Sequence, residues 1–337
     1  MPNSKADEPS LPIMKRVLIS TVYNEGASIE RWIEALKAQT VQPDEFVIVD
    51  AASKDGTVDL LRKGFESGNF PKPHIIIQRC NIAEGRNLAI QNSTHEVIAS
   101  ADAGSLPDRK WLEEITRPFE ENTDVDVVGG WCPVVAANAF QKAVERFIDP
   151  EAEKHKYVEG GVCSPSSRNI AFTRKAWAVV GGYPEWLTLT AEDALFNANL
   201  ESVGMRFYYQ PSAVVTWEVR PDLASYLKMM SGYGYGSAEM GLAPHLYRRW
   251  LLTTLVPPLI LFSPHPVSAA PLRYLRNAAS TWGWMKGKVM GRKPPKDWRC
   301  VDGVLLSPQS LAALKNRGTT TAASSRSASE AVADKAR

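Results

Sequence analysis

Short apolar runs alternate with segments of helical period from Arg16 to about Val135. The runs predict five strands, over Val17–Thr21, Phe46–Asp50, Ile75–Gln78, Val97–Ala101 and Val125–Gly129. Helices are predicted to follow Ser28, Gly56, Gly85 and Asp108, with Ser28 as the cap of the first. Strands joined by crossover helices form a mostly parallel sheet, so the pattern predicts an α/β fold with a sheet flanked by helices.

The pattern changes between Asn138 and Gly241 to longer helices and fewer strands. A strand is predicted over Ile170–Thr173, directly after the polar run Ser166 to Asn169. Another helix is predicted to open with Glu192 and Asp193. Taken alone, these two acids could simply cap that helix and complement its dipole.

The C-terminal region combines apolar and basic residues. The apolar run from Trp250 to Phe262 is broken by Pro257 and Pro258, and it is shorter than the roughly 20 residues that a spanning helix needs. From Leu272 onward a helical pattern places Leu272, Leu275, Ala279, Trp282 and Val289 on one side and Arg273, Arg276 and Lys288 on the other. Residues 242–300 are therefore predicted to form a basic amphipathic extension, either interfacial on a membrane or packed on the domain.

Charge is balanced overall but not along the chain. The net charge is +2, from 39 Lys and Arg against 37 Asp and Glu, which gives no indication of a nucleic-acid partner. Between His245 and Cys300, however, the sequence has ten Lys and Arg but a single acidic residue, Asp297. Such a segment favours an anionic membrane leaflet. The termini, 1–15 and the Ala/Ser/Thr-rich 301–337, are predicted to be a flexible N-terminus and a disordered tail.

Cysteine usage and the N-terminus indicate a cytoplasmic protein. Cys80, Cys132, Cys163 and Cys300 are scattered, without C-x-x-C spacing, and are interpreted as reduced thiols. The first sixteen residues lack the apolar run of a signal peptide. We therefore expect a cytoplasmic location, at the inner face of the plasma membrane if the basic extension binds lipid.

Polar residues follow the ends of three predicted strands. The runs are Thr21-Val22-Tyr23-Asn24-Glu25, Asp50 to Thr57, and Asp102-Ala103-Gly104. Since ligands of open α/β sheets sit at the carboxyl ends of the strands, we expect these runs to meet at one site. The first turn has neither G-x-G-x-x-G nor a P-loop, which argues against a dinucleotide or P-loop site. Asp50 and Asp55 alone could be turn formers.

These runs, taken in order, resemble the family-2 glycosyltransferases over residues 16–241. The resemblance also includes Gly85-Arg86-Asn87, Gly181-Gly182-Tyr183 and Ala191-Glu192-Asp193. It implies a GT-A fold, a Rossmann-like sheet with a nucleotide-sugar half (16–135) and an acceptor half (136–241). It implies an inverting enzyme that transfers a sugar from a nucleotide-diphosphate sugar to a hydroxyl of a glycan or lipid-linked acceptor.

The resemblance assigns roles to ten residues. The donor would be bound by Thr21, Tyr23, Asn24, Glu25, Asp50, Arg86, Asp102 and Arg168. In that site Asp50 accepts a hydrogen bond from the base, and Tyr23 packs on its face. Asp193 is the expected general base, with Glu192 orienting it or contacting the acceptor.

The metal motif of the family, D-x-D, is incomplete here. Asp102 is the expected ligand of a divalent cation, Mn²⁺ or Mg²⁺, but Gly104 stands where the second carboxylate would be. Two alternatives remain open: a catalytically silent scaffold that binds a nucleotide-sugar, and a sugar nucleotidyltransferase. The acidic loop Tyr23 to Gly26 disfavours the second, because a triphosphate needs a basic, Gly-rich loop.

Overall fold

The protein was analysed as a computed structural model that describes residues 14–66, 70–121, 124–145, 165–241, 244–262 and 267–316. The expected flexible residues 1–13 and the last part of the expected tail, 317–337, lie outside the described residues.

A mixed sheet forms the centre of the described chain. Its strands are β1 (Arg16–Val22), β2 (Glu45–Asp50), β3 (His74–Ile77), β4 (Val97–Ser100), β5 (Ser105–Pro107), β6 (Val127–Trp131), β7 (Val134–Val135), β8 (Ile170–Thr173) and β9 (Phe207–Glu218). Their order is β3-β2-β1-β4-β8-β6-β9-β5, with β7 also beside β9. The pairs of β1 with β2 and β4, and of β2 with β3, are parallel, whereas β8 is antiparallel to both neighbours. The predicted mostly parallel sheet is confirmed.

Helices cover both faces of this sheet. They are α1 (Ile29–Lys37), α2 (Thr57–Gly64), α3 (Ile82–Gln91), α4 (Trp111–Glu121), α5 (Ala139–Glu145), α6 (Arg174–Val179) and α7 (Glu192–Ser202). One core contains Leu18, Ile48 and Trp111, together with the predicted inner face of α1. Alternate residues of the same strands, such as Ile19 and Val49, belong to a second core with Phe172 and Phe196. This alternation follows from the two-residue period of a strand that is covered on both sides.

One predicted helix start and one predicted helix cap are corrected. The third helix does not follow Gly85 but begins at Ile82, because Asn81 and Glu84 form a reciprocal capping box. Gly85 lies inside the helix, where a Cβ would stand 2.5 Å from Thr21 Cγ2, so its small size allows α3 to approach β1. The side chain of Ser28 makes no cap bond. Its hydroxyl instead donates to Glu25 Oε2 at 2.6 Å.

The C-terminal extension consists of helices packed against the last helix of the acceptor half. That helix is α8 (Leu223–Met240), and the extension contains α9 (Pro244–Leu255), a 3-10 turn (Pro257–Phe262), a second short turn (Val267–Ala269) and α10 (Ala270–Met290). Within the described residues, no helix combines the length and the apolar character needed to cross a membrane.

The orientation of α10 leaves part of its apolar side exposed. Arg273, Asn277 and Ser280 are buried, whereas Leu275, Trp282 and Val289 are exposed. The expected amphipathic helix is present. Leu275, Trp282 and Val289 of its apolar side are exposed, whereas Leu272 packs against the domain. The small and polar side packs along α8, because its glycines allow the two backbones into contact.

The disordered tail was expected from residue 301, but the structure has ordered elements up to residue 316. Residues Arg299–Val301 and Val304–Leu306 form a hairpin, β10 and β11, and a helix covers 308–316. Ser307 fixes this segment, since its N–H donates to Asn199 Oδ1 at 2.8 Å and its hydroxyl to the Val180 carbonyl at 2.6 Å. These bonds and the buried Leu306 order 301–316.

Candidate active site

An open cleft of about 1360 Å³ lies at the carboxyl ends of β1, β2 and β4. Six of the ten predicted site residues line it: Thr21, Tyr23, Asn24, Glu25, Asp102 and Arg168. The other four, Asp50, Arg86, Glu192 and Asp193, are not part of its wall. The volume is ample for a nucleotide with a sugar attached.

The loops after β1 and β2 are joined by hydrogen bonds. The Asn24 N–H donates to Ser53 Oγ at 2.8 Å, and the Gly26 N–H donates to Asp55 Oδ2 at 2.8 Å. The hydroxyl of Thr57 and the Gly26 N–H hold the pKa of the exposed Asp55 below its usual value. Asp55 is therefore a turn former. The side chain of Tyr23 stays 59% exposed on the cleft, where a flat ring could pack on it.

Asp50 lies just below the cleft with one oxygen unused. It is fully buried, and its Oδ1 accepts the Ser53 N–H at 2.8 Å. Among the described residues, Oδ2 has no hydrogen-bond partner, and neither has Thr21 Oγ1. An unsatisfied buried carboxylate oxygen costs free energy, which a ligand N–H would recover. Nearby, burial and the charges of Glu84 and Asp50 raise the pKa of Cys80 to about 11, so this thiol stays protonated.

Arg86 links the two halves of the domain. Its Nη2 donates to Asp102 Oδ1 at 2.9 Å and its Nη1 to Glu192 Oε1 at 2.5 Å. Burial alone would lower the pKa of Arg86, but the charges of Asp102 and Glu192 outweigh it and the net shift is upward. We expected this arginine beside the nucleotide. Its guanidinium fixes a carboxylate after β4 to one at the start of α7.

Asp193 follows Glu192 but is more exposed to solvent. Ala191 precedes both with φ +76°, a left-handed conformation that is strained for alanine and marks the start of α7. Glu192 is buried, and burial together with the charge of Asp193 raises its pKa, against the opposing effect of Arg86. Asp193 is half-buried, and its Oδ2 lies 3.4 Å from the Ser167 N–H. Adjacent carboxylates thus occupy unequal environments, a frequent arrangement at reactive sites.

Arg168 supplies positive charge to the cleft wall. Its guanidinium lies 4.5 Å from the ring centre of Trp217. Burial alone would lower the pKa of Arg168, but its interactions with Tyr233 and Asp102 outweigh it and the net shift is upward. Within the described chain no carboxylate forms an ion pair with it at 4.0 Å or less. Unlike Arg86, this arginine lines the cleft, where it can meet an anionic ligand.

Sequence reasoning missed three contributors to the site. Arg79 and Arg292 also line the cleft, and Arg79 could have been noticed as the first charge after the third strand. Glu239 is buried and accepts from the Thr188 N–H at 2.9 Å and the Arg292 N–H at 2.8 Å. It joins the cleft-lining loop before α7 to the end of α10. The sequence feature that could have pointed to Glu239 is that it is the one acidic residue of α8.

A cation site would depend on Asp102. Gly104 offers no side chain, and in the described part of the chain the one atom within 4 Å of a Cβ built there is Glu25 Oε1, at 4.0 Å. Among the described residues, no three His, Cys, Asp or Glu side chains are grouped to hold a metal. One or two carboxylates suffice when phosphate oxygens and water complete the shell, so these residues fit a cation that is shared with a diphosphate.

Comparison with known proteins identifies the family. Residues 17–178 match the family model described as glycosyl transferase family 2. The chain is 26% identical over 211 residues to the O-antigen chain rhamnosyltransferase RfbN of Salmonella typhimurium, covering 60% of this chain and 66% of RfbN, a little under two thirds of its length. It is 24% identical over 259 residues to the glycosyltransferase AglE of Haloferax volcanii, covering 74% of this chain and 81% of AglE.

A solved structure supports the fold. The mannosyltransferase PcManGT from Pyrobaculum calidifontis, solved in complex with GDP-Man and Mn²⁺, superimposes with a TM-score of 0.52 at 20% identity, over 95% of this chain and 80% of that one. The family match, the named relatives and the shared sheet agree. Residues 17–178 therefore match a family-2 glycosyltransferase domain, and the described chain has the GT-A fold.

Proposed function

We propose that this glycosyltransferase is an inverting enzyme that moves a sugar from a nucleotide-diphosphate sugar to an acceptor hydroxyl in one displacement. The observation that carries the proposal is the pair of salt bridges made by Arg86. Its guanidinium binds Asp102, on the donor side of the cleft, and also Glu192, the neighbour of Asp193. The acceptor oxygen bonds to the anomeric carbon as the bond to the diphosphate breaks. Its proton passes to Asp193, and the nucleoside diphosphate leaves.

The donor site is formed by the loops after β1, β2 and β4. Tyr23 packs on the base, while the free oxygen of Asp50 accepts its N–H once the loop above opens to it, and Thr21, Asn24 and Glu25 complete the pocket. Arg168 takes the charge of the diphosphate. Arg86 acts by holding Asp102 and Glu192 in place.

A divalent cation, Mn²⁺ or Mg²⁺, would be held by Asp102 together with the donor's own phosphates. When bound, it neutralises the charge that develops on the leaving diphosphate. The support within this chain is the single partly exposed carboxylate of Asp102, with Glu25 near the position that Gly104 leaves open.

The acceptor is proposed to be a glycan or a lipid-linked sugar at the cytoplasmic face of the plasma membrane. The name of RfbN, an O-antigen chain rhamnosyltransferase, supports a surface-glycan acceptor, and the basic extension supports a peripheral location. No nucleic-acid partner is proposed, because the net charge is near zero.

Substitution of the proposed base tests the reaction. In the presence of a donor and acceptor on which the wild type turns over, Asp193→Asn should lower kcat by about 10² to 10⁴ and leave nucleotide affinity within about threefold. Asp59→Asn, in the exposed first turn of α2, is the control and should change neither quantity. Transfer by Asp193→Asn at the wild-type rate would contradict the assignment. NMR of the product should show the inverted anomer.

Gly104 supports a second candidate function, that of a protein that binds the nucleotide-sugar without turning it over. Nucleotide binding without transfer or donor hydrolysis, over a broad set of acceptors, would favour this scaffold.

A further inference from the structure

The outer surface of α10 carries a long apolar stripe. Leu275, Trp282 and Val289 follow each other at seven-residue spacing and are 37%, 65% and 85% exposed. Pro271 and Met285 are exposed beside them. Single exposed apolar residues are ordinary, but a stripe along a 21-residue helix that ends in such open positions indicates a binding surface.

The opposite side of α10 shows why the stripe cannot turn inward. A Cβ on Gly283 would stand 1.9 Å from the Ser231 carbonyl, and one on Gly234 would stand 2.0 Å from the Ser280 carbonyl. The backbones of α8 and α10 are therefore in direct contact, which requires small residues on the inner side. Rotation of α10 to bury Trp282 would bring large side chains into this contact. The apolar stripe is a fixed outer face.

The charges around the stripe indicate what covers it. Lys286 lies within it, and Lys288, Arg292, Lys293 and Lys296 follow directly. Across 244–262 and 267–300 the one acid is Asp297, so the surface is strongly positive. Apolar side chains flanked by Lys and Arg are typical of helices that lie in the interface of an anionic bilayer. A second copy of this chain would bring the same positive charge against itself, which disfavours self-association.

We propose that α10 lies in the plane of an anionic phospholipid bilayer, with Leu275, Trp282 and Val289 inserted at the boundary between headgroups and acyl chains. This inference rests on the proposed membrane location of the enzyme but not on the proposed transfer reaction. The stripe belongs to the same helix whose end reaches the cleft through Arg292 and Glu239. Membrane contact would thus hold the cleft close to a lipid-linked acceptor.

Co-sedimentation of the full chain with vesicles tests the proposal without donor or acceptor. Wild type should bind vesicles of phosphatidylcholine with 30% phosphatidylglycerol and bind pure phosphatidylcholine much more weakly, with binding that falls as salt rises. The double variant Trp282→Ser, Val289→Ser should bind the anionic vesicles about tenfold less. The variant Lys286→Gln, Lys293→Gln should lose anionic preference while keeping the apolar stripe.

Controls separate the stripe from general effects. Ile77→Ser removes a side chain that is 50% exposed at the end of β3, far along the sheet, and should leave vesicle binding unchanged. Thermal unfolding and UDP or GDP binding of each variant show that the fold and the donor site are intact. Absence of wild-type binding to anionic vesicles, or equal binding by the stripe variant, would overturn the proposal. So would a wild-type dimer in light scattering that the stripe variant converts to monomer.

Discussion

Arg86 is the side chain on which the geometry of the site depends most. It is buried and pairs with Asp102 and Glu192, which are separated by 90 positions in the chain. Sequence patterns indicated that Asp102 and Glu192 follow a strand and open a helix. They could not show that a single guanidinium joins them, because that pairing depends on how the antiparallel β8 brings the second half of the chain against β4.

Removal of this guanidinium should unfold the protein more easily. Arg86→Met leaves two carboxylates without their partner, and we expect the free energy of unfolding to fall by about 3 to 5 kcal/mol. Arg62→Met, which removes an exposed partner 4.0 Å from Asp59, should cost less than about 1 kcal/mol. Urea denaturation followed by circular dichroism measures both. Equal stability of the two variants would show that the buried network does not support the fold.

Gly104 offers a gain-of-function experiment. Its position is open, with Glu25 Oε1 at 4.0 Å as the nearest atom to a new Cβ, so an aspartate fits there. Gly104→Asp should tighten Mn²⁺ binding in the presence of the nucleotide by about tenfold, because it adds an anionic ligand. Gly104→Asn has the same shape without the charge and should leave the affinity near that of wild type. Mn²⁺ titration by electron paramagnetic resonance reads this directly, and equal affinity of both variants would place the cation elsewhere.

The helices show what an apolar pattern can and cannot predict. The six predicted strands lie within two residues of their predicted bounds, whereas β5, β7 and β9 were not predicted. Helix α1 buries its predicted face, since it has a single apolar side to cover. For α10 the same reasoning predicted the amphipathic helix but did not decide whether its apolar side packs on the domain or lies on a membrane. Its apolar side is exposed because glycines at 234, 283 and 287 already join its other side to α8.

This contact between α8 and α10 gives a prediction with a matched control. Gly283→Ala places a methyl group 1.9 Å from a backbone carbonyl of α8, so the helices must separate. We expect a loss of about 1 to 3 kcal/mol and faster proteolysis of the extension. Gly232→Ala, on α8 itself, meets nothing nearer than Thr190 Cγ2 at 3.9 Å and should be neutral or slightly stabilising. Comparable losses in both variants would contradict the close packing.

Across the whole molecule, the first half was predictable and the assembly of the second half was not. Parallel neighbours β1 to β4 follow from strands joined by helices. The positions of β6, β8 and β9 depend on long-range pairing that no local pattern encodes, and the order of residues 301–316 depends on Ser307 reaching Asn199 and Val180. The site shows the same division: the donor loops were predictable, whereas Glu239 on α8 and Arg292 from the extension were not.

The most direct test of this account is calorimetric binding of UDP and GDP to wild type and to Asp50→Asn, each with and without Mn²⁺. We predict that one nucleotide binds and that Asp50→Asn weakens it by about tenfold or more, because an amide replaces the free carboxylate oxygen. Asp59→Asn should bind as wild type, and thermal unfolding should show that Asp50→Asn is folded. Failure of both nucleotides to bind under every condition, or unchanged binding by folded Asp50→Asn, would contradict the assignment of this cleft to the donor.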